Sequence, residues 1–134
     1  MPHRFPATVY YEDTDMGGIV YHANYLKFIE RARSDWVRAL GIDQNALREA
    51  GTVFAIHRIE ADFLAPARLD DRLEVRTRPL RVSNARVVLG QEVWRGKSCL
   101  FRARATLVAM SMQGRPRRLP AQLAQLDETI GGKA

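Results

Sequence analysis

At 134 residues the chain is sized for one domain that can bury a core without disulfide or metal support. With 46% hydrophobic and 27% charged residues it has the composition of an ordinary globular protein, and no apolar run nears the roughly 18 residues that a membrane-spanning helix needs. The net charge of +6 is unevenly placed: 13 Lys/Arg against 4 Asp/Glu fall in residues 68–118, so the second half attracts anions, be they nucleic acid, a phosphorylated cofactor or an acidic protein.

The opening residues, Met1-Pro2-His3-Arg4-Phe5-Pro6, lack the apolar stretch of a signal peptide, and a cytoplasmic location is expected. The single cysteine, Cys99, forms no internal disulfide, in keeping with a reducing compartment. It sits in a strand-like run and reads as a small buried hydrophobe rather than a nucleophile.

In chain order, residues 7–12 alternate with Val9 and Tyr11 on one side, which predicts a strand entering an Asp/Gly-rich segment. Tyr25, Phe28, Ile29, Ala32, Trp36, Val37 and Leu40 then recur at helical spacing, while Lys27, Arg31, Arg33 and Arg38 fall mostly off that face. Gly41 is placed to end this helix, and Asp43 to cap a shorter predicted one from residue 44 to 50, closed by Gly51. Past Gly51 the period changes to two, and four strands are predicted over residues 53–64, 72–82, 85–95 and 98–112. In the second of these, Leu73, Val75 and Thr77 share one face and Arg72, Glu74, Arg76 and Arg78 the other. Residues 113–134 are expected to be a partly ordered basic tail to a single domain spanning 1–134. The order strand, long helix, four strands gives an α+β fold with one central helix on an antiparallel sheet, whose open edges favour dimerisation.

The segment Tyr11-Glu12-Asp13-Thr14-Asp15-Met16-Gly17-Gly18-Ile19-Val20-Tyr21-His22-Ala23-Asn24-Tyr25 concentrates acids, a glycine pair and a histidine between strand and helix. From Asp13 it partly fits a calcium-binding EF-hand loop, but the match fails where Asn24 replaces the required Glu and where a strand enters. Asp13, Asp15 and His22 without a second histidine make a poor transition-metal set, and no metal is expected. Two readings stay open from the residues alone. A carboxylate beside a helix start can act as base or nucleophile on a carbonyl held by the free N–H groups there. Equally, the acids can cap the turn, the glycines can serve only its geometry, and His22 can be an ordinary half-buried imidazole.

The same run, continued by Phe28-Ile29-Glu30-Arg31-Ala32-Arg33, resembles the hotdog-fold acyl-CoA thioesterases, most of all the YbgC-type enzymes encoded with the Tol-Pal system, with 4-hydroxybenzoyl-CoA thioesterase more distant. Phe63-Leu64-Ala65-Pro66-Ala67-Arg68-Leu69-Asp70-Asp71 is a second similarity. The resemblance implies a hotdog fold, a five-stranded antiparallel sheet wrapped around one long helix, assembled as a homodimer or homotetramer. It implies hydrolysis of acyl-CoA with no cofactor, Asp15 as the catalytic carboxylate and His22 in support. Oxyanion donors are expected near Tyr21 and His22, and further substrate contacts at Gly18, Val20 and Asn24. CoA contacts are expected in the hairpin at Ser83, Asn84 and Arg86, where Arg86 departs from the Ser/Thr of many relatives. The alternative is a non-catalytic hotdog module that binds acyl carrier protein or nucleic acid; under the thioesterase reading, acyl carrier protein remains a candidate partner and no nucleic acid is expected.

Overall fold

The computed structural model describes residues 2–126. In chain order it contains β1 (His3–Thr8), a single 3-10 turn (Tyr11–Asp13), α1 (Asn24–Ala39), α2 (Gln44–Glu49), β2 (Val53–Phe63), β3 (Arg72–Val82), β4 (Arg86–Arg95), β5 (Ser98–Met110) and α3 (Ala121–Ala124). The strands form one antiparallel sheet in the order β1-β3-β4-β5-β2. No helix among the described residues is long and apolar enough to cross a membrane.

The period-2 pattern decides which face of the sheet is dry. Leu73, Val75 and Thr77 of β3, Val87, Leu89, Gln91 and Val93 of β4, and Ala103, Ala105 and Leu107 of β5 are buried. They meet the apolar stripe of α1, formed by Tyr25, Phe28, Ile29, Ala32, Trp36 and Val37. The result is the hotdog arrangement, one long helix held against a single sheet, and the intervening strand positions face the other way and are largely charged.

The core divides along α1. One cluster surrounds its start, with Val20, Tyr25, Phe28, Ala67 and Phe101; the other surrounds its end, with Trp36, Val37, Val87, Leu119 and Leu123. The second cluster takes in part of the expected tail: the segment after β5 returns along the sheet, Leu119 N–H donating to Asn84 O at 3.0 Å, and buries Leu123. Residues 127–134 of that tail lie outside the described residues.

Two expectations are corrected. The first strand spans 3–8 instead of 7–12, because the Asp13 carboxylate accepts from Tyr10 N–H at 2.9 Å and folds residues 11–13 into the 3-10 turn, leaving Tyr11 exposed. Pro6 is tolerated because β1 is an edge strand. Arg33, expected off the apolar face, is buried: its Nη1 donates to Gln91 Oε1 at 3.0 Å, while Gln91 Nε2 donates to Ile29 O and Thr77 Oγ1, each at 2.9 Å. Burial lowers the Arg33 guanidinium from its ordinary pKa, an effect Glu30 opposes. Cys99 is half-buried, and burial, assisted by Glu92, raises its thiol pKa.

Candidate active site

The acid-rich segment forms a closed loop between β1 and α1. Asp13 is consumed by structure: besides its carboxylate bond to Tyr10, its carbonyl accepts from Tyr21 N–H and from the Asn24 side chain, both at 2.9 Å. Asn24, expected at the substrate, thus spends its amide tying the helix start to the loop. Asp15 differs. Its side chain is exposed, one oxygen accepts from Gly17 N–H at 2.9 Å, and its backbone closes the turn through Gly18 N–H at 3.0 Å and Ile19 O at 2.9 Å. The glycines are used in two ways. Gly18 has φ +77°, where a side chain is strained, and a Cβ on Gly17 would lie 3.2 Å from Asp15 Oδ1.

Val20 N–H donates to Ala67 O at 2.8 Å, docking the loop on the segment between β2 and β3. The chain then enters α1 through tight bonds three residues apart: Asn24 N–H to Tyr21 O at 2.8 Å, Tyr25 N–H to His22 O at 3.3 Å and Leu26 N–H to Ala23 O at 3.1 Å. Ala23 precedes the helix without any side-chain cap. Tyr21 N–H is engaged by Asp13, while at the entry to α1 the N–H groups of His22 and Ala23 have no acceptor among the described residues. Of the residues near which donors were expected, Tyr21 has its N–H engaged and His22 has its N–H free, with that of Ala23 beside it. This free pair stands at the positive end of a 16-residue helix, where an oxyanion is stabilised.

Beside these donors lies a cavity of about 310 Å³ lined by Ile19, Val20, His22, Tyr25, Phe63, Leu64, Ala65 and Pro66. The His22 ring sits 4.6 Å from Tyr21 and 6.1 Å from Phe63, centroid to centroid. Tyr25 stacks on Phe101 at 4.9 Å, and its hydroxyl accepts from Ala67 N–H at 3.0 Å; burial raises its pKa, an effect the Ala67 bond opposes. The opposite wall is pinned by Asp71, which accepts from Arg68 N–H and from Arg95 Nη1, both at 2.8 Å, while the same Arg95 atom reaches Pro66 O at 3.3 Å. Burial alone would raise the Asp71 carboxyl, but these donors and the nearby Arg charges hold it below its ordinary value.

The structure therefore brings His22 and Val20 to an apolar cavity, with Asp15, Gly18 and Tyr21 in the loop beside it. Ser83, Asn84 and Arg86 are not brought there. Their turn adjoins the cluster at the far end of α1, about 24 Å away by helical rise. Ser83 and Asn84, though not Arg86, line a separate cavity of about 330 Å³ together with Arg118 and Leu119. Sequence reasoning missed Tyr25 and Phe63 as cavity walls. The signal was present in the Phe63–Asp71 motif, but nothing local shows that this segment folds against the helix start.

A long helix on a five-stranded antiparallel sheet, with unpaired N–H groups at its start beside an apolar cavity, places the chain in the hotdog fold class. The chain belongs to the Thioesterase superfamily, whose family model matches residues 17–100. Among its relatives, the acyl-CoA thioester hydrolase YbgC of Escherichia coli O6:H1 is 37% identical over 122 residues, 90% of this chain and 91% of that one. The acyl-CoA thioesterase YbgC of Helicobacter pylori strain 26695 is 51% identical over 87 residues, 64% of this chain and 62% of that one. The crystal structure of a probable thioesterase from Bartonella henselae superposes with a TM-score of 0.86 at 38% identity, covering 90% of this chain and all of that one.

Proposed function

We propose that the chain hydrolyses acyl-CoA to a free acid and CoA, without a cofactor, and that it does so in the cytoplasm, where its free Cys99 suits a reducing compartment. One observation carries the reading: the unpaired N–H groups of His22 and Ala23 sit beside an apolar cavity, directly after a loop that presents the Asp15 carboxylate. With the acyl group in the cavity, the thioester carbonyl oxygen accepts from these two donors. Asp15, with one oxygen held by Gly17 and the other open, either takes a proton from water as that water attacks or attacks the carbonyl itself. In the first route the water oxygen forms the new C–O bond as the C–S bond breaks. In the second the bond forms to Asp15, the C–S bond breaks, and water then hydrolyses the resulting mixed anhydride to free acid and carboxylate. In both, CoA leaves as a thiolate that is then protonated. The His22 imidazole, packed between Tyr21 and Phe63, positions the reacting groups.

Such donors gain strength as charge develops on the oxygen, and each contributes about 3 kcal/mol to the transition state. The positive charge of residues 68–118 suits the phosphates of CoA, and a thioester on an acyl carrier protein is a second substrate form of acceptable charge. Val20 lines the cavity, and the reading puts Gly18 and Tyr21, its neighbours in the loop, along the path of the substrate.

The remote hairpin fits this reading through a second copy. β2 is an open edge strand with Ile56 and Phe63 exposed, and pairing two β2 edges would join the sheets of a homodimer, from which a tetramer can be built. Ser83, Asn84 and Arg86 of one copy would then contact CoA bound to the other. A thiol-release assay over acyl-CoAs from acetyl to palmitoyl, with benzoyl added, tests the proposal. Release of one thiol per thioester is expected for at least one of them, and absence of release from all would overturn it.

A further inference from the structure

On the face of the sheet turned away from α1, the register aligns Arg78 of β3, Gly90 of β4 and Arg104 of β5 in one cross-strand row. The adjoining row is Arg76, Glu92 and Arg102. Two strand spacings separate the flanking Cα atoms by about 10 Å, and the glycine between them contributes no side chain. Leu80 leans over it, since a Cβ at Gly90 would lie 3.2 Å from Leu80 Cδ1. What results is a depression of about 170 Å³ bordered by all four arginines, Leu80 and Glu92.

The charges here are not balanced internally. Arg76 is engaged, its Nη2 3.7 Å from Glu74 and its guanidinium 4.4 Å from the centre of the Trp94 ring, though its Nε is buried without a partner. Arg78, Arg102 and Arg104 have no carboxylate within 4.0 Å among the described residues. The acids nearest in register have partners of their own, although Glu92 stays on the rim of the depression. Glu92 accepts from Trp94 Nε1 at 3.1 Å, and Glu60, opposite Arg104, lies 3.6 Å from Arg58.

We infer that this row binds a small anion carrying a diphosphate group. Guanidinium forks match phosphoryl oxygens two at a time, and two linked phosphoryl groups can engage arginines on both sides of a gap that a single carboxylate would leave half unpaired. The gap exists because residue 90 is glycine. The site lies behind the sheet, apart from the loop and cavity at the start of α1, and is independent of the thioester chemistry.

Calorimetric titration of the full chain at low salt, with inorganic pyrophosphate and with ADP as probes, tests this. Saturable binding of one pyrophosphate per chain is expected. ADP binding tighter than pyrophosphate would assign the site to a nucleotide, and weaker binding to the free diphosphate. The Arg78→Gln/Arg104→Gln variant should lose tenfold or more in affinity, whereas Arg48→Gln/Arg115→Gln, with the same loss of charge elsewhere, should change it less than threefold. Gly90→Ala, which keeps every charge but fills the gap, should also weaken binding; melting curves check that each variant is folded. Equal losses in the two double variants, or no saturable binding, would overturn the inference. So would a rise in KM for acyl-CoA in the Arg78→Gln/Arg104→Gln variant, which would make the row part of the substrate site.

Discussion

Gln91 is the joint between the sheet and the underside of α1, and its replacement has a calculable cost. It accepts from Arg33 Nη1 at 3.0 Å and donates to Ile29 O and Thr77 Oγ1 at 2.9 Å, all in the interior. Gln91→Leu keeps the volume but strips a buried guanidinium of its acceptor and leaves the Thr77 hydroxyl without its donor. Each stranded neutral group costs about 1–3 kcal/mol, and isolating a buried charge about 3–5 kcal/mol. Because Arg33 retains 8% exposure, the lower ends apply, about 3 kcal/mol for the charge and about 1 kcal/mol for the Thr77 hydroxyl, or about 4 kcal/mol together. For a domain of this size that is a fall in Tm of about 10–15 °C. The double variant Arg33→Met/Gln91→Leu removes the charge along with its partner and should recover more than half of the loss. Thermal unfolding followed by circular dichroism reads both. A Gln91→Leu protein within 2 °C of the parent, or a double variant whose loss is the sum of the singles, would refute the reasoning.

The other predictions concern the loop and its supports. Because the folded pKa of Asp71 lies below its unfolded value, its contribution to stability is complete above that unfolded value and is lost as pH falls through the folded one. Melting curves between pH 6 and pH 2 should show this loss, and Arg95→Ala, which removes a donor to the carboxylate, should make the acid limb shallower. Gly18→Ala meets no atom within 4 Å but forces a side chain into φ +77°, so it should cost about 1–2 kcal/mol by strain alone, read from denaturant unfolding. Cys99, with its thiol pKa raised by burial, should react with iodoacetamide at pH 7.5 more slowly than free cysteine, and Cys99→Ser should keep full turnover.

Much of the fold was legible because burial repeats along the chain. The stripe from Tyr25 to Val37 and the alternation from Leu73 to Thr77 follow from which side of each element is dry, and Asp43 capped its helix as its residue type suggests, accepting from Asn45 N–H at 2.9 Å. What was not legible depends on long-range pairing. The first strand slipped toward the N-terminus because a side chain three residues away captured the Tyr10 N–H. Arg33 went inside because a glutamine 58 residues later awaited it. At the site, the acids and the histidine were readable from the residues, and the resemblance alone singled out Asp15; the structural part that Asp13 plays rests on bonds to Tyr10, Tyr21 and Asn24 that only the folded loop creates. The motif at Phe63–Asp71 announced itself without revealing that its first aromatic walls the cavity.

The role of Asp15 is the centre of the account, and Asp15→Asn tests it most directly. An asparagine can still accept from Gly17 N–H, so the loop and the melting temperature should be preserved. Loss of the carboxylate should lower kcat for the best acyl-CoA by a factor of about 10² to 10⁴. A folded Asp15→Asn protein that releases CoA at the parent's rate would contradict the proposed chemistry.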